Sequence, residues 1–255
     1  MMNSIDFLIV IYKNYELLYL QSDNFKTLFD QSTYRLIFID NTPEAERKEI
    51  DLDRLTDNCS IHINPNPDHS HDGASAGSAL NFGRQYCTSD IVCIMDSDFF
   101  LTHSGIINLV KKELTQYKAI GTEYYDGEPT IAQSWVEIRK IHKHKFTNIP
   151  CCFCMFMTQD ILNSDTWVVT VKESSHNRSE SFIETGWRIR KYILNNNIPT
   201  KTWKGYQPMD SQGTELPTYF KTDNDELVGF HYQRGSHRRS NLTDIEIPEL
   251  LKRLI

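Results

Sequence analysis

The chain has 255 residues, of which 39% are hydrophobic and 24% are charged, and its formal net charge at pH 7 is -7. This length is enough for one large domain with a sizeable buried core. The acidic balance argues against a nucleic-acid partner, because binding to a duplex depends on a basic protein surface.

The first apolar run, IDFLIVIY (5–12), is predicted to be a strand covered on both faces. It is too short for a membrane span or for the core of a signal peptide, so we expect no transmembrane segment and a cytoplasmic protein. The cysteines also favour the cytoplasm, which is a reducing compartment, since most of them lie in apolar strand-like runs that are typical of buried thiols. These are Cys93, Cys151, Cys152 and Cys154.

Strand-like and helix-like stretches alternate through the rest of the first half. Strands are predicted at 34–41, 59–65 and 90–96, and helices at 14–29 and 74–87. This alternation is typical of a parallel α/β sheet with right-handed crossovers.

The second half is less regular. Helices are predicted at 105–117, at 179–197 and just after residue 158, and strands at 118–125, 151–158, 198–203 and 226–233. The stretch from about 205 to 225 bears Gly, Pro and Asp and is predicted to be a loop. No linker divides the chain, so we predict a single domain over residues 1–255.

The sequence IVCIMDSDFFL (91–101) carries Asp96 and Asp98 at the end of the fourth predicted strand. Ligands of open parallel sheets bind beyond the carboxyl ends of the strands, and carboxylates there suit Mg²⁺ or Mn²⁺. The alternative is structural: Asp98 and Thr102 would cap the helix that follows. The pattern Asp-x-Asp is common, so its spacing alone leaves both interpretations open.

Two other strand ends carry groups that could recognise a nucleotide. Asp40 ends the second strand, where a carboxylate can accept the imide N–H of uracil. Tyr12 and Asn14 follow the first strand, and Tyr12 can pack on a base. These positions would share one edge of the sheet with Asp96.

Small residues open the second predicted helix, in DGASAGSALNFG (72–83). Gly73 and Ala76 would let a ligand approach the backbone at the start of a helix, where anions are favoured. The segment matches neither the dinucleotide-binding nor the P-loop glycine pattern. Close packing of the helix on the sheet explains small residues equally well, so both interpretations stay open.

The C-terminal stretch GFHYQRGSHRR (229–239) is basic within an acidic protein. This local reversal of charge predicts an anionic ligand near His231, Arg234 and Arg238. A solvated basic surface is the alternative. The stretch DHSHD (68–72) is predicted to be a loop rather than a zinc site, because no matching Cys or His pair accompanies it.

The order of IVIYKNYELLYLQ, FIDN, GASAGSALNFG and IMDSD resembles the nucleotide-sugar half of inverting glycosyltransferases with the GT-A fold, of the family 2 type. In the second half, FIETGWRIRKYILNNNIPTKTW is similar to the acidic and Trp-x-x-x-Arg motifs of that family. The resemblance covers nearly the whole chain. It implies a mixed, mainly parallel sheet flanked by helices, with the nucleotide-sugar site in about residues 1–100 and the acceptor site in about residues 101–255.

The resemblance also implies roles for the matching residues. Asp40 would bind the base, Asp96 the ribose or the metal, and Asp98 the Mn²⁺ or Mg²⁺ ion that bridges the donor diphosphate. His231 would contact the metal or the diphosphate. Glu184 would be the general base that deprotonates the acceptor hydroxyl.

A basic loop would complete such a site, with Arg234, Ser236 and Arg238 closing over the phosphates. The motif of the general base departs from the family pattern at Thr185. Thr185 stands where the family commonly has a second acid, which leaves Glu184 as the carboxylate of that motif.

The implied reaction is transfer of a sugar from a nucleotide diphosphate donor, preferably a UDP-sugar, to a hydroxyl acceptor with inversion, in glycan or polysaccharide synthesis. A lipid-linked acceptor would require peripheral attachment at the inner face of the membrane. Three alternatives stay open. They are a sugar-1-phosphate nucleotidyltransferase, against which YKNYELL (12–18) lacks the expected glycines, a retaining transferase, and a non-catalytic module that binds nucleotide sugars or glycans.

Overall fold

The computed structural model describes residues 4–68, 72–123, 148–168, 185–206 and 217–232, with the side chains of the second range described from residue 75. Within these residues the chain forms the strands β1 (Ile5–Ile11), β2 (Tyr34–Asp40), β3 (Cys59–Ile63), β4 (Ile91–Asp96), β5 (Phe99–Leu101), β6 (Ala119–Thr122), β7 (Cys154–Thr158), β8 (Thr200–Tyr206), β9 (Thr218–Lys221) and β10 (Leu227–His231). It also forms the helices α1 (Tyr15–Leu28), α2 (Asp72–Gly83), α3 (Ile106–Glu113), α4 (Gln159–Leu162) and α5 (Trp187–Asn195).

The described strands form one 10-stranded sheet in the order β3-β2-β1-β4-β7-β6-β8-β9-β10-β5. β3, β2, β1 and β4 are parallel neighbours, and β6 pairs parallel with β8. The pairings that involve β7, β9 and β5 are antiparallel. β1 to β4, β6, β8 and β10 therefore share one direction, which confirms the predicted α/β class with a mixed, mainly parallel sheet.

β1 is buried on both faces, as its continuous apolar run predicts. Phe7 and Ile9 belong to a core cluster with Phe25 of α1, while Leu8 belongs to a second cluster with Leu80 of α2. The two helices therefore cover opposite faces of the parallel strands. This is the helix-flanked arrangement expected for an α/β sheet.

A buried ionic network holds the start of the parallel strands. Asp6 of β1 is fully buried, and its carboxylate accepts hydrogen bonds from the Arg35 guanidinium of β2 at 2.7 and 2.6 Å. It also accepts the backbone N–H groups of Thr88 and Ser89, just before β4, at 2.6 and 2.8 Å. One carboxylate thus ties together the amino ends of three neighbouring strands.

Two strands, β5 and β9, were not predicted. β9 lies inside the stretch 205–225, so the loop prediction is wrong there, and β8 continues to Tyr206. β5 is three residues long, with Phe99 and Leu101 in one core cluster and Phe100 in another. Alternation over three or four residues is too brief a signal to separate a strand from its surroundings.

The small residues of α2 serve packing at two positions. A Cβ atom at Gly77 would lie 2.3 Å from the backbone oxygen of Trp167. One at Gly83 would lie 2.6 Å from side-chain atoms of Ile39 and Leu8. Both distances are shorter than real contacts of a Cβ atom, so a larger residue would displace backbone at Gly77 and the side chains of Ile39 and Leu8 at Gly83. Close packing therefore explains these two glycines.

Among the described residues, no helix combines the length and the apolar character needed to cross a bilayer. All the cysteines are free thiols. Cys93, Cys151 and Cys154 are buried, as their apolar runs predict, whereas Cys152 is half-buried.

Candidate active site

The turn Asp96-Ser97-Asp98 connects β4 to β5 at the carboxyl end of the parallel strands. Asp96 is the last residue of β4, and its side chain is 44% exposed. Asp98 is buried, and its backbone carbonyl accepts the N–H of Tyr232 at 2.9 Å. The two carboxylates thus differ in access, since Asp96 is half-buried and Asp98 is enclosed.

β10 brings His231 to this turn, because it pairs with β5 and places His231 opposite Phe99. The Nε2 atom of His231 lies 3.1 Å from Oδ1 of Asp98 and 3.5 Å from Oδ2 of Asp96. The ring of Phe153 stacks on the imidazole, with 4.2 Å between ring centroids. Asp96, Asp98 and His231 each offer one ligand atom, and these atoms lie within 4.8 Å of one another.

The charges of the three side chains shift their titration. Burial lowers the pKa of His231, but the two nearby carboxylates outweigh this effect and raise that pKa to about 10. The partial burial of Asp96 raises its pKa and the charge of Asp98 adds to the shift, although His231 opposes it. A protonated His231 therefore offsets part of the negative charge when no cation is bound.

The donor set fits a divalent cation. Two carboxylate oxygens and one imidazole nitrogen suit Mn²⁺, and Mg²⁺ can use the same carboxylates together with water. A metal ligand must be deprotonated, so a cation would take the place of the proton on His231. It would also relieve the repulsion between Asp96 and Asp98.

The capping interpretation of Asp98 and Thr102 is wrong. Gly105 is the N-cap residue of α3, and no side chain makes a capping hydrogen bond there. The hydroxyl of Thr102 donates instead to the carbonyl of Leu227, at 3.4 Å. The carboxylate of Asp98 is directed to His231.

Asp40 lies at the same edge of the sheet. Asp40 and Asp96 end the two strands that flank β1, so two strand spacings, about 10 Å, separate them. The carboxylate of Asp40 accepts hydrogen bonds from the Tyr15 hydroxyl and the Thr42 backbone N–H, both at 2.9 Å. Asp40 is buried and holds this corner of the edge together, while its contact with a base stays a prediction.

The turn after β1 lies beside Asp40. Tyr12 is half-buried, Lys13 has a φ of 62°, and the Lys13 backbone N–H donates to the Thr42 hydroxyl at 2.9 Å. Asn14 is the N-cap residue of α1, and its backbone N–H donates to the carbonyl of Tyr12 at 2.8 Å. Tyr12, Asn14 and Asp40 therefore meet at one corner of the sheet edge.

An asparagine network that the sequence analysis missed ties α2 to this edge. The side chain of Asn41 donates to the backbone carbonyl and the hydroxyl of Ser75, at 3.0 and 2.8 Å, and accepts from Asn64 at 2.7 Å. Ala76 follows Ser75 and is half-buried. The available signal was the asparagine that directly follows each of β2 and β3.

The remaining predicted site residues, Glu184, Arg234, Ser236 and Arg238, lie outside the described residues. The surroundings of Gly73, within α2, also lie outside them. On the C-terminal side of Glu184, the carbonyl of Thr185 accepts from the Cys152 thiol at 3.1 Å. Gly186 then takes a left-handed φ of 82° as the N-cap residue of α5.

No known protein-family model and no curated protein sequence matches this chain. Among solved structures, mannosyltransferase PcManGT from Pyrobaculum calidifontis, in complex with GDP-Man and Mn²⁺, is 13% identical, with a TM-score of 0.43 over 64% of this chain and 47% of that one. TarS 1-349 from S. aureus is 11% identical, with a TM-score of 0.42 over 69% of this chain and 53% of that one.

Glucosyl-3-phosphoglycerate synthase from Mycobacterium tuberculosis, in complex with Mn²⁺, UDP and glucosyl-3-phosphoglycerate, is 14% identical, with a TM-score of 0.41 over 62% of this chain and 58% of that one. The chain thus spans about half the length of the solved structures it matches. These TM-scores are low, so the case for a function rests on the residues of the site.

Proposed function

We propose that the chain is a metal-dependent glycosyltransferase with the GT-A fold. It moves a sugar from a nucleotide diphosphate donor, a UDP-sugar, to a hydroxyl group of the acceptor with inversion. The observation that carries the proposal is the convergence of Asp96, Asp98 and His231 at the carboxyl edge of a parallel sheet. The proposed acceptor is a glycan or another hydroxyl compound, including a lipid-linked one, in glycan or polysaccharide synthesis.

The position of the site supports this proposal. β1 is followed in the sheet by β2 and β3 on one side and by β4 on the other, so the strand order reverses between β1 and β4. Ligands of doubly wound sheets bind in the crevice at such a switch point. Tyr12 follows β1 and Asp96 ends β4, so this crevice lies between a candidate base-stacking residue and the candidate metal ligands.

Asp98, Asp96 and His231 are the proposed metal ligands. When bound, Mn²⁺ or Mg²⁺ would act as a Lewis acid and neutralise charge on the leaving diphosphate. Asp98 is enclosed and would fix the position of the ion, whereas the more exposed Asp96 can also accept a hydrogen bond from a ribose hydroxyl.

We assign the rest of the proposed donor site to the residues at the corner of the sheet beside β1 and to the start of α2. Asp40 would accept the imide N–H of uracil, and Tyr12 would stack on the base, with Asn14 next to both. Gly73 and Ala76, in α2, would let the diphosphate approach the backbone. Each oxygen of a carboxylate has two lone pairs, so the internal hydrogen bonds of Asp40 leave acceptor capacity for a base.

The proposed roles on the acceptor side follow from the family resemblance of the sequence. Glu184 would take the proton of the acceptor hydroxyl as it attacks the anomeric carbon from the face opposite the diphosphate, which gives inversion. Arg234, Ser236 and Arg238 would bind the phosphates as the site closes.

A sugar-1-phosphate nucleotidyltransferase is the nearest enzymatic rival, and the turn after β1 argues against it. The turn contains no glycine. Its basic residue, Lys13, is paired with Glu46, with 2.7 Å between Nζ and a carboxylate oxygen. That lysine is therefore engaged with the protein rather than directed at a phosphate.

A panel of UDP-, GDP- and dTDP-sugars, with and without Mn²⁺, tests the proposed function. We expect Mn²⁺-dependent thermal stabilisation by one donor class, UDP-sugars, and slow metal-dependent release of nucleoside diphosphate. Stabilisation without release would indicate a binding module, and formation of nucleoside triphosphate from pyrophosphate would indicate a nucleotidyltransferase. No response to any donor would contradict the proposal. The anomer of the released or transferred sugar, read by NMR, separates inversion from retention.

Substitution Glu184→Gln tests the proposed general base. We expect transfer to fall about 100-fold or more, because glutamine cannot take the acceptor proton. Mn²⁺ affinity should not change, since Glu184 is not a proposed ligand. Glu226→Gln, at an exposed position before β10, is the matched control and should retain full transfer. A fully active Glu184→Gln enzyme would remove Glu184 as the base.

A further inference from the structure

The backbone of Asp98 is held from two sides. The side-chain amide of Gln21, in α1, donates to the carbonyl oxygens of Ser97 and Phe99, at 3.0 and 2.6 Å. The backbone N–H of Tyr232, after β10, donates to the carbonyl of Asp98 itself at 2.9 Å. Three consecutive carbonyl oxygens around the enclosed carboxylate are therefore fixed by groups from two distant parts of the chain.

Asn24 extends the contact from α1 along β5. Its side-chain amide donates to the carbonyl of Leu101 at 3.0 Å. Gln21 and Asn24 are three residues apart and lie on one face of the helix. β5 ends the strand order of the described sheet, so these amides occupy acceptors that a further strand would otherwise pair with.

We propose that Gln21 is a positioning residue for Asp98, and that Asn24 supports it by holding β5. Gln21 touches neither the metal nor the donor in this proposal. It fixes the peptide groups on either side of Asp98, so that the carboxylate keeps its place relative to His231 and Asp96. The inference rests on the proposed function, because it concerns the affinity of that same site for a cation.

The hydrogen bonds that the two amides make and lack indicate that they position the turn rather than stabilise the fold. Gln21 and Asn24 are buried, and Oε1 of Gln21 and Oδ1 of Asn24 have no hydrogen-bond partner among the described residues. A buried polar atom without a partner costs about as much as a hydrogen bond contributes, so the net stabilisation is small. Two buried amides of this kind are explained if they fix the position of the turn Asp96-Ser97-Asp98.

Metal sites respond strongly to support of this kind. Loss of a group that orients a ligand typically lowers metal affinity about 10- to 100-fold. Asp98 is the enclosed carboxylate of the set, and its Oδ1 lies 3.1 Å from Nε2 of His231. A small shift of its peptide would therefore change the spacing of the donor atoms.

Substitution Gln21→Met tests the inference, because methionine has a similar size and length but donates no hydrogen bond. We expect Mn²⁺ affinity, measured by EPR titration, to fall about 10-fold or more, with a modest change in thermal unfolding temperature. Ser22→Ala is the matched control. Ser22 is the next residue of α1 and equally buried, and its hydroxyl accepts the N–H of Thr56 at 3.0 Å. This variant should be less stable but keep wild-type Mn²⁺ affinity.

Wild-type Mn²⁺ affinity in a folded Gln21→Met protein would overturn the positioning role. So would an equal loss of affinity in Gln21→Met and Ser22→Ala, because it would reflect general loosening of α1. Should Gln21→Met fail to fold, Asn24→Leu gives the same test, with reduced affinity expected and an unchanged affinity overturning the inference. Wild-type protein that binds no Mn²⁺ would refute the proposed metal site, and the positioning role with it.

Discussion

Replacement of Asp98 by asparagine is expected to lower Mn²⁺-dependent release of nucleotide from the donor by about 1,000-fold or more. Asparagine keeps the size of the side chain but removes the enclosed negative charge of the donor set. Stabilisation of the leaving diphosphate by a bound cation contributes several kcal/mol, and about 4 kcal/mol corresponds to a 1,000-fold change in rate. Initial rates measured over a range of Mn²⁺ concentrations check this result.

Asp90→Asn is the matched control for Asp98→Asn. Asp90 is exposed and directly precedes β4, at the opposite end of the strand from the candidate site. The same change of charge there should leave both Mn²⁺ affinity and donor hydrolysis at wild-type levels. Full metal-dependent activity in Asp98→Asn would show that Asp98 does not hold the metal.

Substitution Asp6→Asn is expected to destabilise the fold by about 3 kcal/mol, which denaturant unfolding measures. The change removes the negative charge that Arg35 contacts twice and that also accepts the N–H groups of Thr88 and Ser89. The expected loss is at the low end for a broken buried ion pair, because the Arg35 side chain is 41% exposed and water can solvate it.

The contribution of Asp6 should also depend on pH in a defined direction. Burial raises the pKa of Asp6, but the hydrogen bonds from Arg35, Ser89 and Thr88 outweigh it and leave the pKa below its ordinary value. The stabilisation is therefore present above the pKa of the unfolded state, about 3.9, and is lost as the pH falls below it through the folded pKa. The stability difference between wild type and Asp6→Asn should shrink below about pH 4.

Asp30→Asn is the matched control for Asp6→Asn, because it makes the same change of charge at an exposed carboxylate. The carboxylate of Asp30 is exposed, and it accepts the N–H and hydroxyl of Ser32 at 2.8 and 2.6 Å, which also lowers its pKa. We expect a much smaller loss of stability than for Asp6→Asn. Equal losses for both variants would contradict the account of Asp6 as the tie between three strands.

The parallel half of the fold could be predicted because its signals are local. β1, β2 and β4 are continuous apolar runs, and their observed ends lie within one residue of the predicted ones. The connecting helices show the spacing of apolar residues that covers one face of a sheet. β5 and β9 gave no such signal, because each is stabilised by its neighbours in the sheet rather than by its own pattern.

The candidate site could be predicted in part for a related reason. Asp40 and Asp96 end parallel strands, so sequence order alone assigns them to one edge of the sheet. The contact of Asp98 with His231 joins residues 133 positions apart and depends on the pairing of β10 with β5. Gln21 could not be found, because a polar residue on a helix is indistinguishable from an exposed one until the buried face is known.

The order of the strands has a consequence for how the metal site forms. β4 and β5 are six positions apart in the sheet, which would separate them by about 29 Å if the sheet were flat. Only Ser97 and Asp98 connect them, and the three steps from Asp96 to Phe99 reach at most about 11 Å. The sheet must therefore curl until its far end returns to the carboxyl end of β4.

The turn that carries both aspartates therefore lies where the far edge of the curled sheet, β5, returns to the carboxyl end of β4. Residues 1–101 contain Asp96 and Asp98, yet they lack the strand that supplies His231. The third ligand, His231, is in place only when β10, from the second half of the chain, pairs with β5. Metal affinity in this protein should consequently report whether β10 and β5 have reached the carboxyl end of β4.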